Sequence, residues 1–283
     1  MTYSQSHSNK IIVKILKYGA ILGLIAVSLF PIYIMVISSL MPNAYIFSFP
    51  PKFIPVHVTF DNYSKIFINP EYLAYFTNSF ITSTGATLVT LLLSIPAGYS
   101  FSRYGFFGKS FMMTTILSIQ MFPIVVILIS LYTFYLKWGM LNTYGGLILA
   151  HTTFSLPLAV LLMKSFFDTI PRSLDEAAKI DGAGRVRTMV TILLPLTKPG
   201  LVAVGIYTFL HSWDDFVLAL VIMQETSMKT LSVGIAQSFL GEYAHDYGGM
   251  MAFAFAGSVP ILILFAFFQR YMVMGLTAGA VKG

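Results

Sequence analysis

The sequence predicts an all-α integral membrane protein, on two observations. Of 283 residues, 57% are hydrophobic and only 10% charged, whereas a soluble globular domain carries about 25% charged residues. That deficit leaves too little polar surface to cover a particle in water. The apolar residues also gather into six runs, each near the roughly 20 residues a spanning helix needs: Tyr18–Leu40, Phe80–Ser102, Ser110–Leu136, Leu141–Met163, Gly200–Met223 and Gly248–Phe268. The runs are continuous rather than alternating, which argues against a closed barrel. Each contains proline or glycine, which spanning helices tolerate better than soluble ones. The chain has no cysteine, which removes disulfides and thiolate metal sites.

The first run follows Lys10, Lys14 and Lys17, as a signal peptide would. Its apolar part is about 23 residues, against roughly 7–15 for a signal sequence, and no small-residue cleavage site follows it convincingly, so it reads as a retained span. Charge sets the expected orientation. With the N-terminus in the cytoplasm, six spans return the C-terminus there, and of the 17 lysines and arginines only Lys52, Lys65, Lys137 and Lys229 fall outside. The net charge of +6 gathers at the ends of apolar runs and does not suggest nucleic-acid binding.

The expected organisation is a cytoplasmic N-terminus (1–17), a first transmembrane helix (18–40), an external loop (41–75), a five-helix core (76–277) holding a cytoplasmic segment at 171–199, and a cytoplasmic tail (278–283). Met41–Asn78 and Glu225–Tyr247 are long external segments. Each either meets an external partner or caps the bundle; the second carries Glu225, Glu242, His245 and Asp246. The sequon Asn62-Tyr63-Ser64 is short enough to arise by chance and carries no weight.

Several chemistries are poorly served. Gly105-Phe-Phe-Gly108-Lys109-Ser110 resembles a phosphate-binding loop, but two residues separate its glycines where that loop has four, and it lies in a turn between spans. The five histidines are scattered, and neither H-E-x-x-H nor G-x-S-x-G occurs. An intramembrane enzyme therefore lacks a catalytic set.

Polar groups inside spans carry more information, because an ionisable side chain at membrane depth is costly and usually faces a cavity or a partner. Asp214 and Asp215 sit in the fifth run beside His211 and Trp213. A helix from Pro199 puts Asp214 about 22 Å along it, in the outer part of the bilayer core. Adjacent helical residues point about 100° apart, so one carboxylate is expected on a pathway and the other against a neighbouring helix. The pair serves either a substrate path or structural bonding. Gln120 and His151 are further candidates, each read first as an interhelical hydrogen bond.

The longest polar stretch is Pro171–Pro199. Ser173-Leu-Asp-Glu176 fits a capping box opening a short helix over Leu174–Ile180. Ala177 and Ala178 would give it a close-approach surface, and Asp181-Gly182 reads as its stop. A second, amphipathic helix follows over Arg185–Leu194, burying Val186, Met189, Val190, Leu193 and Leu194, with Pro195 ending it. An ordinary interfacial connector is the plain alternative.

Glu176-Ala177-Ala178, then Asp181-Gly182-Ala183, then Ile192-x-Leu194-Pro195 resembles the EAA motif of ABC importer permeases at every defining position. Asn78-Ser79, Arg103, Ile170-Pro171 and the terminal Gly275–Gly283 look like MalG-type sugar permeases, so the resemblance covers nearly the whole chain. It implies a type I importer permease fold and an ATP-driven carbohydrate importer in a bacterial or archaeal cytoplasmic membrane. The implied partners are a second homologous permease, two ATP-binding-cassette ATPase subunits and an extracytoplasmic solute-binding protein. It implies no cofactor on this chain, ATP and Mg belonging to the ATPase, and no catalytic role. Glu176, Ala177, Ala178, Asp181, Gly182, Ala183, Ile192, Leu194 and Pro195 would form the coupling element. The tail Ala278–Gly283 would also reach toward the ATPases, and the loop Glu225–Tyr247 would meet the binding protein. One departure stands out: the family more often shows Trp-Asn-Asp/Glu-Phe where this chain has Trp213-Asp214-Asp215-Phe216. An ion-coupled secondary transporter would also suit buried carboxylates, but gives Pro171–Pro199 no role.

Overall fold

A computed structural model describes residues 3–240 and 246–280, with side chains from 13 to 240 and from 246 to 269. Within them the chain is helical. In order run α1 (Tyr3–Ser39), the single turn α2 (Asn43–Ile46), α3 (Asp61–Ile68), α4 (Pro70–Arg103), α5 (Lys109–Ser118), α6 (Ile124–Lys137), α7 (Tyr144–Asp168), α8 (Ser173–Ile180), α9 (Arg185–Arg187), α10 (Leu194–Leu196), α11 (Lys198–Trp213), α12 (Val217–Ile222), α13 (Leu231–Phe239) and α14 (Tyr247–Ala280). Four stretches are long and apolar enough to cross a bilayer unaided, Val13–Ser39, Pro70–Arg103, Tyr144–Asp168 and Tyr247–Gln269. Two bent pairs raise the number to six if each counts as one span.

Breaks in the helices correct two of the continuous spans expected from sequence. In the third, α5 passes through a 3₁₀ turn at Ile119–Met121 and meets α6 at 96°. Pro123 causes the break: it lacks an N–H and forces Phe122 out of the helical region, to ψ 128°. The second bent pair joins Arg185–Leu196 to Lys198–Trp213 at 82°, and within the expected fifth span the helix stops at Trp213 and restarts at Val217. The second span also begins earlier than expected, at Pro70. The Asn69 side chain caps it by accepting from the Glu71 N–H at 3.0 Å, and proline suits the first helical position. Asn78 and Ser79 thus lie inside α4 rather than before it.

The chain divides into two compact units. The first comprises Met1–Ile68 and Ser238–Ala256. From Val13 to Tyr33 the side chains of α1 are largely exposed. Around its end the chain is tied by polar contacts. Asn62 donates to the carbonyls of Ser39 and Met41 at 3.0 and 3.2 Å. Asn43 donates to Asp246 at 2.9 Å and accepts the Gly248 N–H at 2.8 Å. Lys65 reaches the other Asp246 oxygen at 3.1 Å. Burial alone would raise the Asp246 pKa, but the hydrogen bonds from Asn43, the Gly249 N–H and Lys65 outweigh it and hold the carboxyl below its ordinary value. The native state therefore binds this proton more weakly than the unfolded chain does. Its stabilisation is complete above the unfolded value of about 3.9 and fades as pH falls through the lower folded value. Thermal unfolding in detergent at stepped pH should show an acid-side loss that Asp246→Asn reduces.

The second unit comprises Asn69–Gln237 and Gly257–Gly283. Its centre is the α4–α7 pair, with α11 laid against both. Gly98 allows the closest approach: a Cβ there would lie 2.6 Å from Met163 Cβ and 2.9 Å from the Lys164 backbone nitrogen. Gly98→Val should cost about 1–3 kcal/mol through overpacking, read as a lower unfolding temperature and poorer recovery of the protein. Two apolar clusters fill the unit. Tyr99, Ala159, Met163, Phe167, Leu193 and Val204 pack at one end of α7. Tyr135, Leu147, Ala150, Leu218, Ile222 and Val233 pack at the other.

Candidate functional site

The hairpin at 170–197 is built where the α4 and α7 ends meet. Helix α8 ends as its sequence suggests. Gly182 takes φ 76°, the Ala183 N–H donates to Ala178 O at 2.8 Å, and the Gly182 N–H donates to Lys179 O at 3.1 Å. This is a Schellman closure, with glycine at the left-handed position. The start differs. Helix α8 begins at Ser173 itself and Arg172 stands at the cap position with no side-chain cap bond, so the expected capping box does not form. Asp175 is used instead as a tether: its Oδ2 lies 3.0 Å from Arg103 Nε, and Tyr99 donates to its Oδ1 at 3.4 Å. Arg103 also donates to Ile170 O at 3.0 Å, and Arg172 to Ser102 O at 3.4 Å. Arg185 sits 5.2 Å over the Tyr104 ring. A cavity of about 430 Å³ opens among these groups, with Glu176, Lys179, Ala183 and Thr188 on its wall.

The motif residues divide into two sets. Glu176, Ala177, Asp181 and Gly182 are exposed, and so are Leu174 and Ile180, the latter by 86%. Ala178 faces inward and is buried, so the two alanines do not form one surface. Ile192 and Leu194 pack on the cluster around Phe167, with the fully buried Leu193 between them. Pro195 does not end the second helix, which continues to Leu196. Before it, Thr188–Leu193 opens into a π-helix. A proline ring crowds the carbonyl four residues back, and a wider turn relieves that conflict. Val186 and Val190 are exposed, contrary to the single face expected.

The second candidate lies at the break between α11 and α12. Asp215 accepts the N–H groups of Leu218 and Ala219 at 3.4 and 2.9 Å, which starts α12, and accepts from His151 Nε2 of α7 at 3.3 Å. His151 is fully buried, and its Nδ1 has no hydrogen-bond partner among the described residues. Asp214 is exposed instead, on an open cavity of about 550 Å³ lined by Tyr207, Leu210, His211, Asp214, Asp215, Phe216 and Val217. One carboxylate thus serves a neighbouring helix and the other a cavity. Trp213 does not line it. Its ring is buried, stacks on Phe209 at 5.5 Å and donates to Gly257 O of α14 at 3.1 Å. Gln120 is exposed at the bend of the third span, forms no side-chain hydrogen bond among the described residues and stands apart from this cavity.

Two asparagines hold the chain after α12: Asn142, which sequence reasoning missed, and Asn78, which it named only as part of the family resemblance. Asn142, at φ 54°, accepts the N–H groups of Gln224 and Glu225 at 2.7 and 2.9 Å. Asn78 donates to the carbonyls of Ser227 and Lys229, both at 2.9 Å, and accepts from Tyr144 at 2.7 Å. Glu242 and His245 lie outside the described residues, as do residues 281–283 of the tail. Among the described residues no group of three or more His, Asp or Glu is placed to hold a metal.

The architecture is that of an ABC importer permease. It matches a chain of a bacterial ABC transporter that imports the acidic polysaccharide alginate, with a TM-score of 0.80 over 96% of this chain and 99% of that one, at 19% identity. Residues 90–277 match the family described as binding-protein-dependent transport system inner membrane component, and the chain belongs to that family. It is therefore a multi-pass, non-catalytic transport component of the inner membrane, on which no cofactor is expected. Relatives include the trehalose/maltose transport system permease protein MalG of Thermococcus litoralis, 35% identical over 95% of this chain and 96% of the relative. Another is the sulfoquinovosyl glycerol transport system permease protein SmoH of Agrobacterium fabrum, 34% identical over 95% and 94%.

Proposed function

We propose that this chain is a permease subunit of an ATP-binding-cassette importer for a sugar or oligosaccharide, and that α8 is its coupling helix. The observation that carries this reading is the hairpin's build. Its inner side is fixed by Asp175–Arg103, Ala178 and Leu193, while Leu174, Glu176, Ala177 and Ile180 face outward with nothing from the described residues over them. An element held on one side and bare on the other can pass on a push as a rigid body. The excess of Lys and Arg on one side supports a cytoplasmic hairpin and cytoplasmic termini. The assembly would comprise this chain, a second related permease, two ATPase subunits carrying ATP and Mg, and an extracytoplasmic solute-binding protein. Sugar-transport relatives, trehalose/maltose among them, support the substrate class.

ATP binding closes the ATPase pair, the coupling helices follow, and the spans turn about a polar path. The cycle is driven because nucleotide binds one state of the assembly better than the other. The cavity at Tyr207, His211 and Asp214 is this chain's share of the path. The test is to purify the chain with its membrane complex and assay ATP hydrolysis. ATPase subunits should copurify, and a sugar-loaded binding protein should stimulate them. A chain that purifies without an ATPase under mild extraction contradicts the proposal.

A further inference from the structure

We infer that Asp214 is a charge filter, making the path accept neutral or amino-bearing sugars and reject anionic ones; this rests on reading the cavity as the substrate path. The fold does not set substrate charge, since a chain of the same architecture belongs to a transporter for an acidic polysaccharide. Selection must then come from residues particular to each chain. Among the described residues the cavity wall holds two carboxylates and neither lysine nor arginine. Asp215 is committed, its oxygens taken by His151 and two backbone N–H groups. Asp214 is free: among the described residues its side chain has no hydrogen-bond or ion-pair partner, and only its backbone N–H is bonded, to Leu210 O at 3.0 Å. Among the described lining residues His211 is the one able to become cationic, and its ring packs on Tyr207 with centroids 5.9 Å apart.

An ionised carboxylate has acceptor sites only, so it takes hydrogen bonds from sugar hydroxyls or an ammonium group. A uronate or sulfonate brought beside it meets like charge, and apolar walls such as Leu210, Phe216 and Val217 weaken the screening that water would provide. Tyr207 and Phe216 offer ring faces to a sugar of any charge, so they leave discrimination to the carboxylate. Specificity by repulsion needs one such group placed where the wrong ligand's charge must pass.

The test uses the complete transporter complex in nanodiscs, without binding protein, and measures equilibrium binding of labelled maltotriose, fully deacetylated chitotriose and trigalacturonate. The native complex should bind trigalacturonate at least about tenfold more weakly than maltotriose, equivalent to about 1.4 kcal/mol. Chitotriose should bind at least as well as maltotriose. Asp214→Asn should close the gap between maltotriose and trigalacturonate to within about threefold, while Asp214→Glu keeps it. A gap that is absent in the native complex, or survives Asp214→Asn, overturns the filter while maltotriose binding still supports the path. Failure of all three sugars to bind overturns the path, and the filter with it.

Discussion

Gly182→Val should abolish ATP-driven uptake while the chain still inserts and assembles. At φ 76° a side chain with a Cβ is strained by about 1–2 kcal/mol, and β-branching makes it worse. A Cβ at Gly182 would meet nothing within 4 Å, so the strain is in the backbone and not in packing. The chain can relieve it only by unwinding the Schellman turn, which displaces α8 from α9. Gly182→Asn is the control, since asparagine tolerates the left-handed region, and it should retain most uptake. Glu176→Lys should reproduce the valine phenotype by a different route, because Glu176 is exposed on α8 and reversal leaves the fold intact. Proteoliposome uptake, alongside the amount of assembled complex, distinguishes lost coupling from lost folding. Normal ATP-driven uptake by both Gly182→Val and Glu176→Lys would remove α8 from the coupling path.

His151→Ala should destabilise the second unit by about 1–3 kcal/mol, the usual cost of leaving a buried hydrogen-bonding group without its partner. Asp215 would keep its two backbone donors but lose the imidazole, at a site where its side chain is only 10% exposed. Thermal unfolding in detergent should show the loss. His151→Gln, whose amide can donate from a similar position, should recover part of it. The double variant His151→Ala/Asp215→Asn should be less damaged than the two single effects summed, because the groups act as one contact. Additivity would mean that the 3.3 Å contact contributes nothing to stability.

The residues explain how far the sequence could be read. Apolar run length made the membrane class plain, and Gly182 announced its own turn, because both are local properties. The breaks were harder. Pro123 and the Asp214–Asp215 pair lie inside runs whose mean hydropathy is high, and a composition window averages over them. Yet each carries a local reason for the helix to break, a missing N–H in one case and a helix-starting carboxylate in the other. Ser173 misled because a capping box is a pattern of residue types. The decisive contact belongs to Asp175, whose partner Arg103 lies far away in sequence. The split between Asp214 and Asp215 was expected from a continuous helix, yet both lie in the break after Trp213, and the identity of the neighbour, His151, needed the packing of α7. The contacts of Asn78 and Asn142 were invisible for the same reason: their hydrogen bonds close loops across distant sequence.

The central claim is that movement of solute through this chain is driven by ATP hydrolysed on other subunits. The most direct measurement is uptake by proteoliposomes holding the purified complex and supplied with its sugar-loaded binding protein, with ATP and ion gradients varied independently. The account predicts uptake with ATP and Mg inside and every ion gradient collapsed, and none when a proton or sodium gradient is present without ATP. Uptake that follows the ion gradient and persists without ATP would contradict it.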